Sequence, residues 1–311
     1  MALYHWGSGI ATEAYAGEVP VYVLLALGAA LCFSLNAVSS KIAATHAVRD
    51  RNTLVYLSFL LQLVFVPFLL LLSPLQDPRP VAGLLVAFAL TFYVGNFCIL
   101  TALYRYDVSV FHPFFHFQTI FSVGLAYLLL GERFPAQTYL WIAGIIVGGL
   151  LVGMDERFRP HALFSRAFLV FLAGIFAYAL SDIIAKKTLA VLDVWNLRLW
   201  SALLIFGIAA VHLRLRGVVQ PVVRAQRRPV VVAVFFGFVA SLFLFQAFSY
   251  NITVSQPLAM FGSLFTLLIS FGLSRFRPGF LEHVSRRTYA VRAVGVLLML
   301  SSAILLSLPA R

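Results

Sequence analysis

Residues 107–153 read DVSVFHPFFHFQTIFSVGLAYLLL, then GERFP, then AQTYLWIAGIIVGGLLVG. An apolar run striped with polar residues, Val108 to Leu130, meets the turn Leu130-Gly131-Glu132-Arg133-Phe134-Pro135, and a second run packed with glycine, Ala136 to Gly153, follows. A helix crossing the hydrocarbon core of a bilayer needs about 20 apolar residues, and both runs are long enough. The stretch therefore predicts two consecutive membrane-spanning helices.

The rest of the chain has the same texture. Of its 311 residues, 62% are hydrophobic and 11% charged, with a mean hydropathy of +0.96. An ordinary soluble domain has about a quarter of its residues charged, so a water-soluble fold is excluded. Ten windows read as spans: 20–44, 52–73, 80–104, 108–130, 136–153, 166–187, 194–213, 229–250, 253–273 and 288–308. The expected fold is all-α and integral to the membrane, with connections too short for a separate soluble domain.

The formal charge of +12 raises the question of a nucleic-acid partner. The basic residues lie mostly at span ends and in connections, which is the pattern of membrane topology, so no nucleic acid is expected. The connections after the odd-numbered spans hold seventeen of the 23 Lys and Arg residues; the other side holds six, Arg198 among them. The positive-inside rule then puts both termini outside. No Lys or Arg precedes the first apolar run, so that span is expected to be retained rather than cleaved as a signal peptide. Cys32 and Cys98 fall within apolar windows and read as small core residues. No cofactor or metal is implied, and the expected location is a cell (inner) membrane, crossed many times.

Five spans per half is an odd number, so two halves that are repeats must insert with opposite orientation. At an offset of 146, Gly28 pairs with Gly174, Asn36 with Asp182 and Lys41 with Lys187. At 144, Pro113 pairs with Pro257 and Thr119 with Ser263; at 145, Thr101 pairs with Gln246 and Ala102 with Ala247. The connections Arg105 to Asp107 and Asn251-Ile252 predict tight hairpins at matching places. Leu130-Gly131-Glu132-Arg133 after an apolar span, followed by Gly144-xxx-Gly148-Gly149, resembles the end of an EamA domain of the drug/metabolite transporter superfamily. That resemblance implies two five-helix domains in tandem, 20–153 and 166–308, and transport, with export the expected direction. It also implies cytoplasmic termini, against the charge count. The second half departs from the motif, reading Ser274-Arg275-Phe276-Arg277 at the matching turn.

Polar side chains in hydrocarbon are costly and are the first place to look for function. At 100° per residue, Ser109, His112, His116 and Thr119 fall within an arc of about 80°, continued by Tyr127, while Gln118 lies opposite. Pro113 inside this stripe removes a backbone donor, so a kink or broken turn is expected there. The stripe lines a substrate path, or its histidines bond across helices and Pro113 only bends the span. Span nine repeats the pattern with Ser255, Ser263, Thr266 and Ser270, and Gln256-Pro257 stands where His112-Pro113 stand. Span three offers Tyr93, Asn96 and Tyr104, and span eight Gln246, Ser249 and Tyr250, either as substrate ligands or as interhelical and interfacial groups. In spans one and six the matched pair is Asn36 and Asp182, the latter an intramembrane acid suited to proton coupling or to holding a cationic group; an i, i+4 pair with Lys186 is the structural alternative. The glycines of span five suit packing within the bundle, or a homodimer interface. Trp200 is the tryptophan best placed to reach the bundle.

These residues suit a secondary membrane transporter of small metabolites such as amino acids, working by alternating access in the bilayer, and not an enzyme. The alternative from another class is a multi-pass enzyme acting on lipid with His112 or His116 as base. It lacks an evident nucleophile, carboxylate cluster or metal set.

Overall fold

The computed structural model describes residues 21–105, 112–130, 136–152, 165–214, 227–276 and 286–307. Ser109, Glu132 and most of the turn around Glu132 lie outside the described residues. The described residues are helical, with no strand among them, as lipid dictates: a backbone without water must satisfy its own hydrogen bonds. The helices are α1 (Val21–Ile42, continued by a wider π turn, Ala43–Ala47), α2 (Arg51–Gln62), α3 (Val66–Leu72), α4 (Ala82–Leu103), α5 (Phe117–Leu130), α6 (Ala136–Val152), α7 (Arg166–Thr188), α8 (Val194–Ala209), α9 (Arg227–Ala259), α10 (Gly262–Phe276) and α11 (Arg286–Ser307). Among the described residues, seven stretches are long and apolar enough to cross a membrane: 21–47, 51–72, 79–103, 166–188, 194–214, 227–250 and 287–305.

Local chemistry sets the ends. Asp50, Ser165 and Asp193 cap α2, α7 and α8, each side chain accepting from the backbone N–H three residues on, a contact worth about 1 kcal/mol. Pro67 lacks an N–H and crowds the carbonyl of Leu63, so the second span is split by a 3-10 turn, Leu63–Phe65, between α2 and α3.

The expected break at Asn251-Ile252 takes a different form. Helical backbone runs without a loop through these residues to Ala259, and the chain leaves the helix only at Met260-Phe261. Ser255 Oγ nevertheless donates to the Ala247 carbonyl at 3.2 Å. Eight residues of straight helix would separate them by about 12 Å along the axis, so α9 folds back sharply between them. The reversal lies where the sequence predicts a hairpin.

Pairing crosses between the two halves of the chain. α1 packs along α9, and α4 along α7; α1 also touches α10, and α5 touches α7; α6 lies along α11. Small residues make these approaches close. α1 buries Ala26, Ala29, Ala30, Ser34 and Ala37 on one face while Val21, Leu24 and Leu31 point outward, the arrangement expected where lipid offers no hydrophobic drive and close packing holds helices together. A Cβ on Gly28 would lie 3.0 Å from the Phe243 ring, and one on Gly174 would lie 2.9 Å from Cys98 Cβ. These paired glycines thus occupy matching contacts, α1 on α9 and α7 on α4. Lys41 and Lys187 do not match: Lys41 is buried, donating to the Leu103 carbonyl at 3.1 Å, and Lys187 is exposed.

On the side of the 189–193 connection, a polar cluster joins the halves. Ser73 Oγ donates to Asp193 Oδ2 at 2.5 Å, the Gln76 N–H to Asn196 Oδ1 at 3.0 Å, and Asn196 Nδ2 to the Pro74 carbonyl at 3.0 Å. The Asp193 N–H reaches Gln76 Oε1 at 2.9 Å, and Trp200 Nε1 reaches the Gln76 carbonyl at 3.3 Å.

Candidate functional site

Inside the bundle lies a cavity of about 200 Å³ walled by both halves. α1 contributes Asn36 and Ser40, α2 Ser58 and Gln62, α4 Asn96, and the start of the fourth span His112 and Gln118. From the second half come Tyr178, Asp182, Arg198, Ser241 and Gln256, among aromatic residues including Phe92, Phe245 and Phe248. The matched pair Asn36 and Asp182 therefore faces one space.

The fourth span explains which of its polar residues reach that space. Pro113–His116 is a 3-10 turn, with the Phe115 N–H bonded to the His112 carbonyl at 3.1 Å. A 3-10 turn advances about 120° per residue where an α-helix advances about 100°, so four such residues add about 80° of rotation. His116 then stands about 120° from His112, and Gln118 swings to within about 40° of it. His112 and Gln118 accordingly share the cavity wall. Gln118 Nε2 donates to Asp182 Oδ2 at 2.6 Å, and His116 points away to Ser263 Oγ at 2.9 Å. The stripe expected from uniform α geometry is broken by its own proline. The Thr119 and Tyr127 side chains lie outside the described residues.

Glycine seats two of the lining groups. A Cβ on Gly262 would fall 2.8 Å from His112 Cε1 and 3.0 Å from the Ala30 carbonyl, and one on Gly237 would fall 2.7 Å from Asn36 Nδ2. Asn36 uses that room to donate to the Ala233 carbonyl at 2.7 Å, tying α1 to α9. Gly262→Val is expected to push His112 off the wall and to cost about 2 kcal/mol, the middle of the range for overpacking. A thermal-unfolding midpoint within a degree of the native protein's would show that the site can yield instead.

Other expected site residues serve elsewhere. Tyr93 is buried and its hydroxyl meets His212 Nδ1 at 2.6 Å, against Phe59 and Phe97. Trp200 belongs to the polar cluster and Gln246 is half-buried; neither lines the cavity. Ser263 pairs with His116, and Ser255, Thr266 and Ser270 are buried in packing. Tyr104 donates to the Val48 carbonyl at 2.7 Å, and Asn96 and Tyr178 both line the cavity. Asp182 is buried whereas Lys186 is exposed. Sequence reasoning missed Gln62, Ser58 and, above all, Arg198, which is 1% exposed.

The His116–Ser263 contact has the partners of a nucleophile and its base but the opposite polarity. Ser263 Oγ donates its proton to the Met260 carbonyl at 2.9 Å, so it must accept from His116 Nε2–H. Both residues are buried, neither lines the cavity, and His116 Nδ1 has no partner to orient it. A general base needs a free lone pair toward the hydroxyl and a reacting atom within reach, and this pair has neither.

Residues 20–154 match the model of the EamA-like transporter family. Over that stretch the chain is similar to this family. The match ends beside the glycine-rich helix α6, so the matched stretch includes the part of the cavity wall that contains Asn36, Asn96, His112 and Gln118. No curated protein matches the sequence. One solved crystal structure superposes with a TM-score of 0.62 over 92% of this chain and 97% of its own, at 16% identity; at that identity the likeness concerns the fold alone. The glycines of α6 pack within the chain. Gly148 and Gly149 face Met299 of α11 and Phe117, and a Cβ on Gly148 would lie 2.7 Å from the Gly295 carbonyl.

Proposed function

We propose that this protein is a secondary transporter of small metabolites such as amino acids, built as ten spans in two inverted five-helix repeats, 20–153 and 166–308. The observation that carries the reading is a cavity with polar groups on its wall to which both halves contribute equivalent helices. Exchange of halves relates α1 on α9 to α7 on α4, and α1 on α10 to α7 on α5, while α6 and α11 pair with each other. An inverted repeat with its site between the halves suits alternating access, in which one half rocks against the other around a fixed site. The cavity wall is largely aliphatic and aromatic, with amide and hydroxyl groups, one imidazole, one carboxylate and one guanidinium among the described residues, which suits a zwitterionic or neutral cargo. Family resemblance favours export across a cell (inner) membrane. Asp182 is the candidate for proton coupling.

Liposomes carrying the purified protein and loaded with a mixture of amino acids should release at least one of them faster than equally loaded protein-free liposomes do. Turnover of a lipid substrate without flux of any amino acid would overturn the proposal in favour of a membrane enzyme.

A further inference from the structure

Arg198 is held where a cation has no structural reason to be. It lies four residues inside the start of α8, about 6 Å along the helix, and lines the cavity. Asp182, six residues before the end of α7, hangs about 9 Å from the same connection. A guanidinium has five N–H donors and no acceptor, and moving such a charge out of water costs several kcal/mol unless it is paired. The protein supplies little in return. Arg198 Nη2 reaches Gln62 Oε1 at 3.4 Å, the long limit of a hydrogen bond, while Nε and Nη1 are buried without a partner. No ion pair within 4.0 Å joins it to Asp182. Phe238 and Phe245 lie 5.3 and 5.9 Å from the guanidinium carbon, contacts that favour a cation and fix its plane but satisfy no N–H.

A pre-positioned guanidinium with free donors, on the wall of a cavity large enough for a small solute, is an anion receptor. We infer that Arg198 binds the carboxylate of the cargo, and that the cargo class is therefore carboxylate-bearing, with the α-amino acids the members whose ammonium also suits Asp182. A carboxylate fits a guanidinium through paired N–H···O bonds, and it neutralises the charge that the fold leaves uncompensated. The inference rests on the transport reading and adds the group by which the cargo is recognised.

The test uses the full-length protein in detergent with each of the twenty L-amino acids, followed, for every one that raises the unfolding temperature, by its decarboxylated amine and its carboxamide. The native protein is expected to bind the acid about 10- to 100-fold more tightly than either analogue, the span for hydrogen bonds to a charged group. R198Q is expected to lose that preference and R198K to keep part of it. Three outcomes overturn the inference: no amino acid binds, the amines bind as well as the acids, or R198Q retains the preference. A lower unfolding temperature of ligand-free R198Q with the preference intact would mark Arg198 as structural and overturn it too. Liposomes carrying the protein separate the two levels of failure. Flux of amines or uncharged solutes would refute the carboxylate while leaving transport standing; lipid turnover without flux would end the transport reading itself.

Discussion

An Asp182→Asn transporter in liposomes is expected to lose its response to an imposed pH gradient, with gradient-driven rates falling at least about tenfold, the effect of about 1.4 kcal/mol on a barrier, while exchange of substrate for substrate continues. Asp182 is the one carboxylate among the described residues of the cavity wall, and an acid inside a membrane is a default site for carrying a proton. The groups sharing that wall, His112, Tyr178 and Arg198, remain in the variant. Asparagine has nearly the same shape, and Gln118 can turn its amide to accept from the new donor, so the geometry around the 2.6 Å contact is kept and only the proton site is removed. Lys186→Ala is the control for the structural alternative: were Asp182 there only to hold Lys186, both substitutions would cause the same loss. A pH dependence unchanged by Asp182→Asn would remove this residue from coupling.

The largest effect on folding is expected at Gly148. In Gly148→Leu, the first added carbon already falls 2.7 Å from the Gly295 carbonyl and 2.5 Å from Met299 Cγ. Backbone cannot step aside as a flexible side chain can, so α6 must separate from α11 along its length. A loss of about 3 kcal/mol, the upper end for overpacking, is expected as a fall in unfolding temperature of about 10 °C, or as absence of folded protein. Gly207→Ala is the opposing control. Nothing lies within 4 Å of its added carbon, and alanine in mid-helix gains about 0.5 to 1 kcal/mol over glycine. If both substitutions have the same small effect, the close helix contact is not a source of stability.

The membrane class of the fold is legible in the sequence because lipid leaves a chain of this hydropathy little choice but helices. The Asn36 and Asp182 pair is legible too, since matched positions in two halves stand out without any knowledge of packing. Gln118 is not, because a uniform 100° step was carried across Pro113, where the chain turns by about 120° per residue. Arg198 is missed for another reason. Counting cations to orient a membrane protein treats each one near a span end as lying in water, and Arg198, four residues inside its window, is counted on the outer side although its guanidinium is enclosed by Phe238, Phe245 and Gln62. Tyr93 and Trp200 have the chemistry of ligands, and only the three-dimensional structure reveals that His212 and the Gln76 carbonyl take up their polar ends.

The crossed pairing of helices bears on how such a chain comes to be folded at all. α1 is made first, yet its principal partner α9 begins some two hundred residues later, and α4 likewise meets α7 from the other half. Contacts so distant along the chain are slow to form, and until they form the small-residue face of α1 has only lipid against it. The stretch similar to the family, 20–154, therefore makes its closest helix contacts with the rest of the chain. Each half completes the other: among the described residues the closest helix pairs, α1 with α9, α4 with α7 and α6 with α11, all cross between them.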